Sequence, residues 1–99
     1  MIDLDINLIF DRGALGALPL NLREKYYQKM LSEIGPNTIW LISVFDYNQK
    51  DMSGPPFSIK QEEIAKQLSS KFKIELLEKT STNNFNIKNI SEKIYLLKN

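Results

Sequence analysis

Ninety-nine residues suffice for one small domain and leave no room for a second core. The chain is 42% hydrophobic, 25% charged and 10% aromatic, with a formal net charge of +1, so its electrostatics favour neither a nucleic-acid partner nor an acidic substrate. It has no cysteine and no histidine, which excludes disulfides, thiolate nucleophiles, imidazole acid–base chemistry and the usual zinc ligand sets. No apolar run approaches the roughly 18 residues that a membrane span needs. The N-terminus lacks the pattern of a secretory leader, so no membrane and a reducing cytoplasm are expected.

Met1–Asp5 carries two aspartates among apolar residues and reads as a lead-in. Ile6–Phe10 is apolar but for Asn7, the pattern of a short buried strand. Gly13–Leu20 is small and apolar and reads as a covered turn. A helix is expected from Asn21, with Asn21 as N-cap and Glu24 completing a capping box. Its apolar stripe is Leu22, Tyr26, Met30 and Ile34, with Tyr27 and Leu31 beside it. Arg23, Glu24, Lys25, Gln28, Lys29 and Glu33 form the expected solvent side, and Gly35-Pro36 the stop.

Thr38–Phe45 is the strongest strand pattern and is apolar on both faces, which predicts a central strand with helices above and below. A polar loop leads to Gly54-Pro55-Pro56-Phe57, a stiff turn carrying an aromatic. A second helix is expected near Ser58, with the stripe Ile64, Ala65, Leu68 and Phe72 and with Lys60, Glu62, Glu63, Lys66, Gln67 and Lys71 in solvent. Lys73–Thr80 reads as a third strand, Thr80–Ser91 as a loop and Glu92–Lys98 as a last strand. With no helical stripe between them, the last two strands should run antiparallel. The expected order is therefore β-α-β-α-β-β: three parallel strands joined by right-handed crossovers, and an antiparallel fourth.

In open α/β sheets, ligands bind beyond the carboxyl ends of the strands. The first strand ends there in Asp11-Arg12-Gly13, and Arg12 is one of only two arginines among thirteen basic residues. Read from the residues alone, an exposed Asp11–Arg12 ion pair, worth about 0–1 kcal/mol, is the favoured account of that placement, with a ligand-facing arginine as the alternative. Tyr26, Tyr27 and Trp40 are expected in the core. Lys71-Phe72-Lys73 reads as a solvated face rather than a nucleic-acid platform.

Asp11-Arg12-Gly13-Ala14-Leu15, Asp46-Tyr47, Gly54-Pro55-Pro56-Phe57, Leu77-Glu78-Lys79 and Glu92-Lys93-Ile94-Tyr95-Leu96-Leu97 follow the order and approximate spacing of the thiopurine S-methyltransferase family. The chain resembles the carboxyl-terminal half of that family, over nearly its whole length. The resemblance implies a partial Rossmann-like, class I methyltransferase sheet, with strands corresponding to the family's 4, 5, 6 and 7 in the spatial order 4-5-7-6. It also implies a domain that transfers a methyl group from S-adenosylmethionine to a small aromatic or heterocyclic thiol. Arg12, with neighbouring Asp11, would lie toward the cofactor, and Pro55, Pro56 and Phe57 toward the substrate. No catalytic acid, base or metal is implied.

The family's glycine-rich cofactor turn and its ribose-binding acid have no counterpart in the sequence, and its arginine and tryptophan-glycine segment has no clear match in Ser81–Ile90. The isolated chain is therefore expected to be inactive and not to bind the cofactor. Without a neighbouring strand, Ile6–Phe10 would present an unprotected edge, and self-association or pairing with an amino-terminal half is expected. A stand-alone, non-catalytic binding domain and a truncated remnant are the alternatives.

Overall fold

The computed structural model describes residues 7–35, 37–82 and 89–99; the expected lead-in at Met1–Asp5 and most of the expected loop at Thr80–Ser91 lie outside them. Four strands form one mixed sheet: β1 (Asn7–Arg12), β2 (Thr38–Asp46), β3 (Lys73–Thr82) and β4 (Ile90–Lys98). Their spatial order is β1-β2-β4-β3, with β1 parallel to β2 and β4 antiparallel to both neighbours. The expected element order and the antiparallel last strand both stand. Two helices, α1 (Leu20–Glu33) and α2 (Gln61–Leu68), make the connections before β2 and before β3.

The core is one cluster on one face of the sheet. Trp40, Ile42 and Val44 alternate along β2, and Tyr95 and Leu97 meet them from β4. Tyr27 from α1, Ile64 and Leu68 from α2, and Leu15, Ile59 and Phe72 from the connections close over this row. Phe72 meets Trp40 edge-on, with ring centres 5.9 Å apart. Both helices lie on this face, so the expectation of helices above and below β2 is corrected. Among the described residues the opposite face is bare. Leu8 is 69% and Phe10 59% exposed there, and the register sets Leu8 beside Ile39 and Phe10 beside Leu41, with Leu96 next to Leu41 on β4. An apolar pattern on both faces of a strand states that both will be covered, not by what.

The helix limits also shift. Pro19, not Asn21, occupies the N-cap of α1, and Lys60, not Ser58, that of α2, in both cases without a side-chain cap bond. The Ser58 hydroxyl is used elsewhere: it donates to the Tyr47 carbonyl at 2.6 Å and accepts from the Tyr47 amide at 2.9 Å, pinning the chain to the end of β2. At the far end of α1 the left-handed residue is Asn37 (φ 60°) rather than Gly35. Lys71 leaves the expected solvent face and donates to the carbonyls of Leu31 (3.1 Å) and Ile34, capping the last turn of α1 with a cation. The inner face of α1 is rotated relative to the expected stripe. Arg23 and Tyr27 are buried, while Leu22 is exposed. β3 is the charged edge, broken at Leu77 by a register shift that twists it away from further pairing.

Candidate functional site

The candidate site forms where β1 and β2, parallel and adjacent, release the chain at their carboxyl ends. Strand β1 runs through Asp11 and Arg12 before Gly13 (φ 91°) takes a left-handed turn that would strain a residue with a side chain. Alternation sends these two side chains to opposite faces of the sheet. Asp11 is buried, accepting from the Ala14 amide at 3.2 Å and from the Tyr26 hydroxyl at 2.6 Å. Burial, then the bond to Asp11, push the Tyr26 phenol well above its ordinary range. Arg12 is exposed and, among the described residues, has no hydrogen-bond or salt-bridge partner. The pair does not make a direct contact: Asp11 holds the turn from below while Arg12 stands clear.

The second loop follows β2. Gly54 (φ 82°) lies against the Phe57 ring, and an added Cβ would stand 2.8 Å from that ring, so no larger residue fits. The Tyr47 hydroxyl donates to the Pro56 carbonyl at 2.6 Å, and the Gln49 amide donates to the Met52 carbonyl at 2.7 Å and to the Tyr47 hydroxyl at 3.0 Å. The two loops are then joined. The Phe57 amide donates to the Gly16 carbonyl at 2.8 Å, and Gly16 has room for no more than ordinary contact with Pro56. The structure thus brings Pro55, Pro56 and Phe57 onto the same end of the sheet as Asp11 and Arg12. At the end of β2, the Asp46 carboxylate accepts from Lys60 and, at 2.6 Å, from Lys93. Burial opposes ionisation of Asp46, but the bonds from Lys60 and Lys93 outweigh it and hold the carboxyl below its usual range.

A buried polar cluster joins the two helices where the sequence pattern predicts solvent-facing side chains. Arg23, assigned to solvent, is 6% exposed. Its Nε and Nη2 donate to Glu63 at 3.0 Å each, and its Nη1 donates to the Leu18 carbonyl at 2.7 Å. The Tyr27 hydroxyl donates to the same carboxylate at 2.7 Å. The signal for it in the sequence is the rarity of arginine, which marks Arg23 as much as Arg12.

Burial and the bond to Glu63 raise the Tyr27 phenol far above its ordinary value. The folded state therefore keeps this proton better than the unfolded chain. Stability is in full force below about pH 10, the unfolded phenol's range, and is lost as pH rises beyond it, by about 1.4 kcal/mol per pH unit for this one group. Urea unfolding at pH 8, 10 and 10.5 should show that fall. Tyr27→Phe should lower stability at pH 8 and flatten the alkaline slope; an unchanged slope would assign the effect to other groups.

These features define an open mixed α/β sheet whose polar and aromatic loop residues converge at the carboxyl ends of two parallel strands. The description Thiopurine S-methyltransferase (TPMT) belongs to the family whose profile matches residues 2–99, and this chain is a member of that family. It is similar to the thiopurine S-methyltransferase of Aliivibrio fischeri (strain MJ11), 42% identical over 73 residues, covering 74% of this chain and 34% of the relative. It is also similar to those of Vibrio vulnificus (strain YJ016), 47% identical over 58 residues with 59% and 27% coverage, and Legionella pneumophila (strain Corby), 42% identical over 72 residues with 73% and 33% coverage. The chain thus spans about a third of the length of the relatives it matches. Among the described residues no helix is long and apolar enough to cross a membrane.

Proposed function

We propose that this chain is the carboxyl-terminal part of an S-adenosylmethionine-dependent methyltransferase domain that acts on small aromatic or heterocyclic thiols in the cytoplasm. In this reading β1, β2, β3 and β4 correspond to the family's strands 4, 5, 6 and 7. The observation that carries it is the joining of the Arg12 loop to the Pro-Pro-Phe turn through the Phe57–Gly16 hydrogen bond at the carboxyl ends of the parallel strands.

S-Adenosylmethionine, when bound, supplies a methyl group already activated as a sulfonium. A thiolate can take such a methyl by direct displacement, so the work left to the protein is positioning and exclusion of water. The guanidinium of Arg12, without a partner among the described residues, suits an anionic group of cofactor or substrate, and Asp11 serves it indirectly by fixing the turn. Pro55, Pro56 and Phe57 offer a rigid apolar wall for a planar acceptor. Only one wall of a crevice is present among the described residues, and the other is assigned to an amino-terminal portion that pairs with β1 and covers the bare sheet face. The 99-residue chain alone should therefore show no cofactor binding by calorimetry; micromolar binding would overturn the need for a second portion.

The positive test is complementation. Co-expressed with the amino-terminal half of the Aliivibrio fischeri relative, the chain should confer methyl transfer to an aromatic thiol. Arg12→Ala should then weaken cofactor affinity by about 1.5–3 kcal/mol, the range for a hydrogen bond to a charged group. Arg12→Lys should recover only part, since lysine lacks the planar fork. The proper control is Lys25→Ala on the exposed side of α1, since Arg23 is buried. Equal affinities for the Arg12→Ala and Lys25→Ala proteins would sink the assignment. A stand-alone, non-catalytic domain is the second reading, favoured by the closed cluster around Trp40 that this chain forms by itself.

A further inference from the structure

Buried ion pairs are a poor way to glue two helices together. Desolvating both charges costs about as much as their attraction returns, and a well-packed apolar pair commonly does as well. Arg23 and Glu63 nevertheless join α1 to α2 in a two-pronged contact, with three of the guanidinium's five N–H groups engaged. What this arrangement has that an apolar pair lacks is direction. The third donor holds the Leu18 carbonyl, at the end of the loop that begins with Asp11, and the guanidinium carbon stands 5.9 Å from the centre of the Phe57 ring. Arg23 therefore touches the first loop, the second loop and α2 at once. Above it lies an open cleft of about 400 Å³ lined by Pro19, Leu20, Arg23, Gln49, Ser53 and Phe57.

We propose that Arg23 is the positioning residue of this cleft, setting the Phe57 ring and the Leu18 end of the Arg12 loop in fixed relation so that a planar aromatic methyl acceptor finds a formed wall. The proposal rests on the methyltransferase reading for the identity of the ligand, and on this structure alone for the role of Arg23. Glu63 is the anchor that orients the fork, and Tyr27 fixes Glu63 in turn. Lysine could neutralise Glu63 but could not hold the carboxylate, the carbonyl and the ring together.

The test compares Arg23→Lys and the paired Arg23→Met/Glu63→Leu with the unsubstituted protein, all carrying Leu8→Lys to keep the bare sheet face soluble. Amide hydrogen exchange is followed at Phe57, whose N–H is bonded to Gly16, and at Ile42 in the middle of β2. Arg23→Lys should lose about tenfold or more of the protection at Phe57 while Ile42 changes less than about twofold, a local opening without global loss; the paired variant, which also strips the Tyr27 hydroxyl of its acceptor, should lose protection at both sites but about tenfold more at Phe57 than at Ile42. Parallel loss at both sites, or no loss at Phe57, would overturn the proposal. If the paired variant does not fold, Arg23→Lys alone decides it on the same criterion. This measurement needs neither cofactor nor acceptor, so it fails or succeeds apart from the methyltransferase reading. In the complemented enzyme, formed without Leu8→Lys, the acceptor KM should rise about tenfold at unchanged cofactor affinity, whereas a general loss of folding would lower the apparent kcat and leave KM and cofactor affinity as they were. An enzyme without methyl transfer but with the loosened Phe57 amide would overturn the functional reading and leave the positioning role standing.

Discussion

A chain carrying Leu8→Lys and Phe10→Lys is expected to sediment as a monomer at concentrations where the unsubstituted chain self-associates. Both side chains point away from the core cluster and are more than half exposed on the face that no described element covers. β1 is also the outermost strand, and its outer row of N–H and C=O groups has no described partner. The other edge, β3, carries Lys73, Glu75, Glu78 and Lys79 and a bulge, the usual devices against unwanted pairing. β1 has none of these before Asp11. An apolar sheet face next to an unprotected edge is the combination that leads to aggregation or to pairing with a complementary chain. The two lysines should change folding stability by no more than about 0.5 kcal/mol, as for exposed positions generally, so any gain in solubility would come from the surface and not the fold. Sedimentation of the unsubstituted chain as a clean monomer would show that something covers the edge and would favour the stand-alone reading. Loss of complementation by the double-lysine chain, with its fold intact, would place the partner on this face.

Trp40→Ala should cost about 3–5 kcal/mol, the range for removing a large aromatic from a core. A chain of this length has a total stability of about 5–15 kcal/mol. Trp40 is fully buried at the middle of the cluster, with Phe72 edge-on and Leu97 across the ladder from it, so the hole left behind has rigid walls. Its indole N–H has no hydrogen-bond partner among the described residues. Trp40→Phe therefore forfeits volume but no hydrogen bond, and its cost should stay below about 2 kcal/mol. Urea denaturation of the two variants in the soluble Leu8→Lys/Phe10→Lys background measures both. A Trp40→Phe cost equal to that of Trp40→Ala would mean that the indole nitrogen is satisfied in a way the packing does not show.

The legible part of this protein was its periodicity. Runs of β-branched and aromatic residues set the strands, the four-residue spacing from Tyr26 to Ile34 and from Ile64 to Phe72 set the helical regions, and the absence of a helical stripe before Glu92 set the antiparallel return. These are local regularities, and a sequence records them directly. Five short segments in order were enough to reach the family as well, because the two site loops are made of residues whose backbone demands are unusual: Gly13 and Gly54 at positive φ, and the prolines beside Phe57. What the sequence left open was decided by which partner stands across from each side chain. Arg23 and Glu63 looked like solvent-face residues on their separate helices, 40 positions apart in the chain. Only when the sheet sets the two helices side by side on one face do the two charges meet out of water, where each is tolerable only because of the other. The bare face has the same origin. Alternation along β2 shows that both faces are apolar, but the cover for one of them comes from tertiary placement, and both described helices are spent on the other.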